Sequence, residues 1–161
     1  MSEVPAPIRS VPVGHVFSSR PRRLSLPRIL AFSGGPLADP GWPQKNLHTD
    51  IGKARDAGLD SIIASGTQSE GILISLLVDV CGTSWHRAGT LSVRFVKSVR
   101  VDEMITAFAR LTAREGEGAA QRLTFDVWCE NTAAEAVITG TAAFGMPNKQ
   151  QEGSHLDASS A

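Results

Sequence analysis

From about Thr67 to Cys81, a run of about fifteen residues, almost every side chain is apolar or small. Ile72, Leu73, Ile74, Leu76, Leu77, Val78 and Val80 leave no polar stripe at helical spacing, so the stretch is expected to form a helix buried on all sides. It is too short to span a bilayer, which takes about 20 residues. The rest of the chain must therefore be built to enclose it. Ser65 or Thr67 is suited to its N-cap, and Gly82 and Thr83 close it. A helix start offers unpaired N–H groups and a partial positive charge, which suit an oxyanion or a polarised carbonyl. A short polar segment carrying one histidine, His48, comes before that start. The enclosed helix thus opens on a candidate chemical site.

A chain of 161 residues fits one domain with a full core. The formal net charge is +0, so no global field recruits nucleic acid or an anionic membrane. One local cluster, Arg20, Arg22 and Arg23, is basic; it reads either as a solvated loop or as a contact for ligand phosphates. Cys81 and Cys129 lie in apolar patterns without CxxC or Cys/His spacing, as buried free thiols do. The opening MSEVPAPIRS has no basic stretch followed by an apolar run. Together these point to a reducing cytoplasm.

Residues 1–13, with Pro5, Pro7 and Pro12, read as an irregular lead-in; 14–147 form the folded domain; 148–161 are polar and small, a tail expected to be disordered. His15–Ser18 and Leu24–Leu26 are candidate short extended pieces. Pro27 suits the first turn of a short helix with Ile29, Leu30 and Phe32 on its apolar side, stopping at Ser33-Gly34-Gly35-Pro36. A Gly- and Pro-rich loop, 34–45, follows. Asp50 can cap a helix over Ile51–Ala57 that Gly58 ends. Beyond the buried helix, Leu91–Phe95, Glu103–Arg114, Leu123–Glu130 and Val137–Phe144 alternate in the manner of half-buried strands joined by short turns, an antiparallel meander. A long apolar helix followed by such a sheet is an α+β architecture. One curved sheet wrapping one helix is the outline of a hot-dog fold. The sheet's edge would stand open in a lone protomer, so pairing into a dimer is expected.

The order Phe32-Ser33-Gly34, Asn46-Leu47-His48-Thr49-Asp50, Ala54, Gly58 and Ile63-Ala64-Ser65-Gly66, then the helix and Val93-Arg94-Phe95, resembles the MaoC-like dehydratases, or R-specific enoyl-CoA hydratases. The resemblance covers roughly residues 10–145. It implies reversible hydration of an enoyl thioester carried on CoA or a carrier protein. An aspartate and a histidine five positions apart would activate water, and a helix-start N–H would polarise the thioester carbonyl. His48 matches the family histidine and Gly66 the oxyanion-hole glycine. The chain departs from the pattern at both family residues. Pro43 stands where the spacing to His48 puts the aspartate, and Gly35 stands where the FSGD run puts it. The chain between these anchors is longer, and Ser65 replaces the histidine of the HG pair.

The candidate set follows from this. His48 can change protonation near neutral pH and serve as acid and base. Asp39 is either the displaced carboxylate, folded back by the long loop, or a turn residue before Pro40. Asn46, Ser65, Thr67 and Trp42 are candidate substrate contacts, with loop support, helix capping and loop packing as their structural alternatives. Glu70, one turn into the apolar helix, offers a second function, a hot-dog thioesterase with a carboxylate base. A third is a non-catalytic subunit of a heteromeric hydratase, in keeping with the two missing family residues. No cofactor, metal, nucleic acid or membrane partner is implied; the expected partners are an acyl thioester and a second hot-dog chain.

Overall fold

The computed structural model describes residues 8, 10–116 and 121–146. The expected buried helix is α3, Gly66–Cys81, with Ser65 at the N-cap and Gly82 at the C-cap. It lies against a sheet of strands β1 (Val16–Ser18), β3 (Gly89–Phe95), β4 (Met104–Glu115), β5 (Arg122–Glu130) and β6 (Ala136–Gly145), in the order β1-β4-β5-β6-β3. A short strand β2, Arg22–Arg23, pairs with the start of β4. Inward positions alternate as a one-sided sheet requires: Ile105, Ala107, Ala109 and Leu111 on β4, and Leu123, Phe125, Val127 and Cys129 on β5, are all buried. They meet Leu73, Leu76, Leu77 and Val80 of α3 in one core. Cys81 and Cys129 are free and buried, and burial pushes both thiols up to about 12, which leaves them inert.

Only β4, β5 and β6 form the expected meander. β3 crosses to the far side and pairs with β6, from Gly89 opposite Phe144 to Phe95 opposite Ile138. Segment 96–103 then runs along one end of the sheet instead of making a hairpin. The Val96 N–H donates to Val137 O at 3.0 Å, Ile63 bridges to Arg100, and Leu24 exchanges backbone bonds of 2.9 Å with Asp102 and Glu103. That segment ties the helix lead-in, β2 and the sheet together.

Other local readings shift. Leu26 opens helix α1 (Leu26–Ser33), with Ser25 at its N-cap, and the extended pair falls earlier, at Arg22–Arg23. Phe32 is 53% exposed and does not join the apolar side of α1. Helix α2, Ile51–Asp56, has the expected cap: Asp50 accepts from the Lys53 N–H at 2.9 Å. A short helix α4, Trp85–Ala88, follows α3, and its buried Trp85 packs on Phe144. α3 itself is not covered all round. Thr67, Gly71, Ser75 and Asp79, spaced one turn apart, are exposed. A single sheet covers one side of a helix, and α1 stands off the other. The lead-in residues 1–7 and 9, most of the turn after β4 and the tail from 147 lie outside the described residues, although Ile8 is buried in the core.

The β3–β6 pairing depends on one residue without a side chain. A Cβ on Gly140 would fall 2.1 Å from Ser92 O. Gly140→Ala is expected to lower stability by about 1–3 kcal/mol, the usual cost of overpacking, read as a lower urea midpoint. A midpoint equal to the parent's would mean that β3 does not lie this close to β6.

Candidate active site

The histidine is placed by the turn that carries it. The His48 N–H donates to Asn46 Oδ1 at 2.8 Å, and Asn46 Nδ2 donates to Ser33 O at 2.8 Å. Asn46 therefore clips the turn to the end of α1. The Thr49 hydroxyl donates to Gln44 O at 2.6 Å and accepts from the Asn46 N–H at 2.9 Å. The chain then enters α2 through the Asp50 cap. A capped helix directly behind the turn and an amide clip in front leave it little freedom.

His48 Nδ1 lies 2.9 Å from Ile63 O. A carbonyl only accepts, so Nδ1 carries the proton and the neutral ring presents Nε2 as an acceptor. Ile63 is three residues before α3. Its neighbour Ala64 is held by a 2.8 Å bond from its N–H to Val99 O. One carbonyl thus sets the tautomer of the imidazole and links it to the segment that feeds the helix start.

His48, Ile63–Thr67 and Phe95–Val99 line one cleft of about 470 Å³. The N-terminus of α3 opens into it. The Gln68 N–H is already bonded to Ser65 O at 3.0 Å, so Gly66 and Thr67 supply the N–H groups left at the mouth. The Phe95 ring packs on Gly66, so that a Cβ there would lie 2.8 Å from two ring carbons. Gly66 thereby lets a flat group approach the helix start closely. Ser65 Oγ and Thr67 Oγ1 are 2.8 Å apart and bond each other. Neither side chain caps the helix.

The cleft therefore gathers His48, Ser65, Gly66 and Thr67. Asp39 is not brought to His48. Its Oδ1 accepts from the Gly41 N–H at 2.8 Å and its Oδ2 from Gln44 Nε2 at 3.2 Å, a closed turn of its own loop. Those two donors, the Gly41 amide foremost, hold its carboxyl below the usual carboxylate range. Short-range turn chemistry wins over the longer reach to the histidine. Pro43, at the family aspartate position, packs on Gly34, as does the Trp42 indole; Trp42 does not line the cleft. Asn46 acts on the loop and not as a lining contact. Glu70 is half-buried on α3 and also lies outside the lining. Sequence reasoning missed Ile63 O, because a backbone acceptor leaves no residue-type signal. It noticed Phe95 as part of a strand and of the Val93-Arg94-Phe95 run, not as a wall of the cleft.

Two outcomes test this geometry. Asn46→Ala removes a donor and an acceptor from a part-buried turn; a loss of about 1–3 kcal/mol and faster proteolytic nicking within 34–50 are expected. Unchanged nicking would mean that the clip does not hold the turn. The Lys53 N–H lowers the Asp50 carboxyl below its ordinary 3.8. The cap thus contributes stability that is full above that value and is lost as pH falls through the lower folded value. Asp50→Asn, which caps without titrating, should flatten the acid limb of a Tm-against-pH curve there.

Comparison with known proteins follows the same outline. A family model for the MaoC like domain matches residues 44–136. No curated protein matches the chain by sequence. Among solved structures, the unliganded R-hydratase PhaJ1 of Pseudomonas aeruginosa superposes with a TM-score of 0.67 at 16% identity, covering 88% of this chain and 86% of that one. The (R)-hydratase from A. caviae involved in PHA biosynthesis gives 0.66 at 20% identity, with 86% and 99% covered. The ChsH1–ChsH2 complex from Mycobacterium tuberculosis gives 0.64 at 20% identity, with 85% and 98% covered. These likenesses show the hot-dog fold.

Proposed function

The chain belongs to the MaoC-like domain family, and we propose that it catalyses reversible addition of water to an enoyl thioester, giving the 3-hydroxyacyl thioester. The observation that carries this reading is the shared cleft. An imidazole whose Nε2 has no partner among the described residues and a helix start with N–H groups left over line one hollow of about 470 Å³.

In this reading the thioester carbonyl lies at the Gly66 and Thr67 N–H groups. Polarising it draws electron density from C3. His48 Nε2 takes a proton from water as its oxygen bonds to C3 and the double bond shifts to the enolate. The enolate oxygen is held by the same N–H groups, in the manner of an oxyanion hole. The imidazolium then returns the proton to C2, which restores the carbonyl and leaves His48 neutral. One residue serves as base and then as acid, so no second carboxylate is needed for balance. Ile63 O accepts from the charged ring as well as from the neutral one, so it steadies the imidazolium.

The missing family aspartate favours a second reading, in which this chain works in a pair. The outer edge of β3 is unpaired among the described residues, and Phe95 and Val96 beside it are 49% and 48% exposed. Two of the solved structures with this fold, ChsH1–ChsH2 and HadBC, are complexes of two different chains. We propose that β3 pairs with a second hot-dog chain, identical or different.

The purified chain is expected to consume crotonyl-CoA or a longer enoyl-CoA, followed by loss of the conjugated thioester absorbance. His48→Ala should lower turnover by about 10²–10⁴-fold with an unchanged circular dichroism spectrum. Turnover that survives His48→Ala contradicts the mechanism. Turnover that appears only with a co-purified second chain selects the paired reading.

A further inference from the structure

A larger hollow lies on a different face of the molecule. Its volume is about 1110 Å³, and it runs along the exposed stripe of α3 between that helix, β1 and α1. Its lining reaches from Gln68 to Val80, twelve positions further along the helix or about 18 Å. That is the length of a long extended acyl chain. Phe17, Leu24, Ile72, Leu76 and Val80 give it an apolar floor. None of its lining residues lies on β3 or β6, and none is shared with the His48 cleft. Pairing at the β3 edge would therefore leave it open.

One end of the groove is basic. Arg20, Arg22 and Arg28 line it and also line an adjoining hollow of about 530 Å³. Arg23 nearby is neutralised by Asp102, Nε to Oδ1 at 3.1 Å. The other three guanidiniums have no ion pair among the described residues. The groove's acid, Asp79, stands at the opposite end, eleven residues from Gln68 along α3, or about 16 Å. At the basic end Gln68 donates Nε2 to Arg28 O at 3.2 Å, while its buried Oε1 has no donor among the described residues. A chain with formal net charge +0 thus concentrates three free positive groups at one mouth of an apolar channel. Guanidinium forks match a carboxylate and hold it bidentately. Concave, mostly apolar hollows with a few polar groups at one end are where small amphiphiles bind.

We propose that this groove binds a long-chain fatty acid, with the carboxylate on Arg20, Arg22 and Arg28 and the chain along α3 toward Val80. The site is separate from the His48 cleft, and the proposal goes beyond the hydration chemistry.

Gly71 makes the test clean. It lines the groove, and a Cβ built there meets nothing within 4 Å. Gly71→Leu therefore fills the channel without entering the core, and leucine is the better helix former. Calorimetric titration of the full chain with myristate, below its micelle concentration, is expected to show saturable one-to-one binding. Laurate should bind severalfold weaker and the uncharged decyl maltoside at least tenfold weaker. Arg22→Gln/Arg28→Gln should lose at least tenfold in affinity. Gly71→Leu should abolish binding while its Tm equals or exceeds the parent's. Unchanged myristate affinity in Gly71→Leu places the acid elsewhere and overturns the proposal. Inorganic phosphate that displaces myristate at equal concentration makes the mouth an anion site alone, which also overturns it. An absence of myristate binding, with an oligomeric state that changes in Gly71→Leu, makes the groove an interface between copies and overturns it too.

Discussion

The structure depends on removing one helix from water. α3 carries Leu73, Leu76, Leu77, Val80 and Cys81 into the core. A helix of that composition has no stable solvated form, because each large apolar side chain left in water costs roughly 1.5–3 kcal/mol. The sheet is the answer to that cost. Its strands offer Ala107, Ala109, Leu111, Phe125 and Val127 on one face, small near the middle and bulky around it, so that it can curve about the helix. Burying the body of the helix concentrates its polarity at the ends. The N-terminus becomes a place where free N–H groups meet a partly apolar cleft.

The second constraint is that the side chain proposed as acid and base must face that end without coming from the helix itself. The chain solves this with a loop held by backbone-directed bonds. Asn46 reaches back to Ser33 O and forward to the His48 N–H, Asp50 starts the next helix, and Ile63 O takes the imidazole proton. The Asn46 and Asp50 bonds fix the turn itself, and the His48–Ile63 bond joins that turn to the segment that leads into α3. The opposite wall, Phe95–Val99, arrives because β3 crosses to pair with β6 and its following segment turns along the sheet end. The fold and the site thus share the same connections. Weakening the β3 pairing would open the cleft as well as the core.

Much of this was legible in the sequence because the signals are local. The α3 apolar run, the Asp50 cap, the Gly34 stop and the alternation of β4, β5 and β6 all rest on neighbours within a turn or a strand. What escaped is non-local. The place of β3 beside β6 is decided by the close approach at Gly140, not by any turn signal. The reading of α3 as covered on all sides failed because Gly71 and Ser75 are small enough to pass as buried and yet face an open groove, while Thr67 opens into the His48 cleft. Asp39 is a candidate in the sequence as a displaced carboxylate, because Pro43 holds the family position and the long loop could fold back, whereas its own loop offers two donors within five residues. A nearby N–H outcompetes a distant partner, since closing a longer loop costs more entropy.

Placement of the carbonyl between imidazole and helix start is the claim on which the chemistry rests. Its most direct measurement is an NMR titration with butyryl-CoA, a saturated thioester that binds without adding water. The Gly66 and Thr67 amide resonances and the His48 ring resonances should all shift, saturably and with one Kd. If butyryl-CoA binds, as other residues would report, while the Gly66 amide and the His48 ring stay unmoved, the thioester lies elsewhere and the account is wrong.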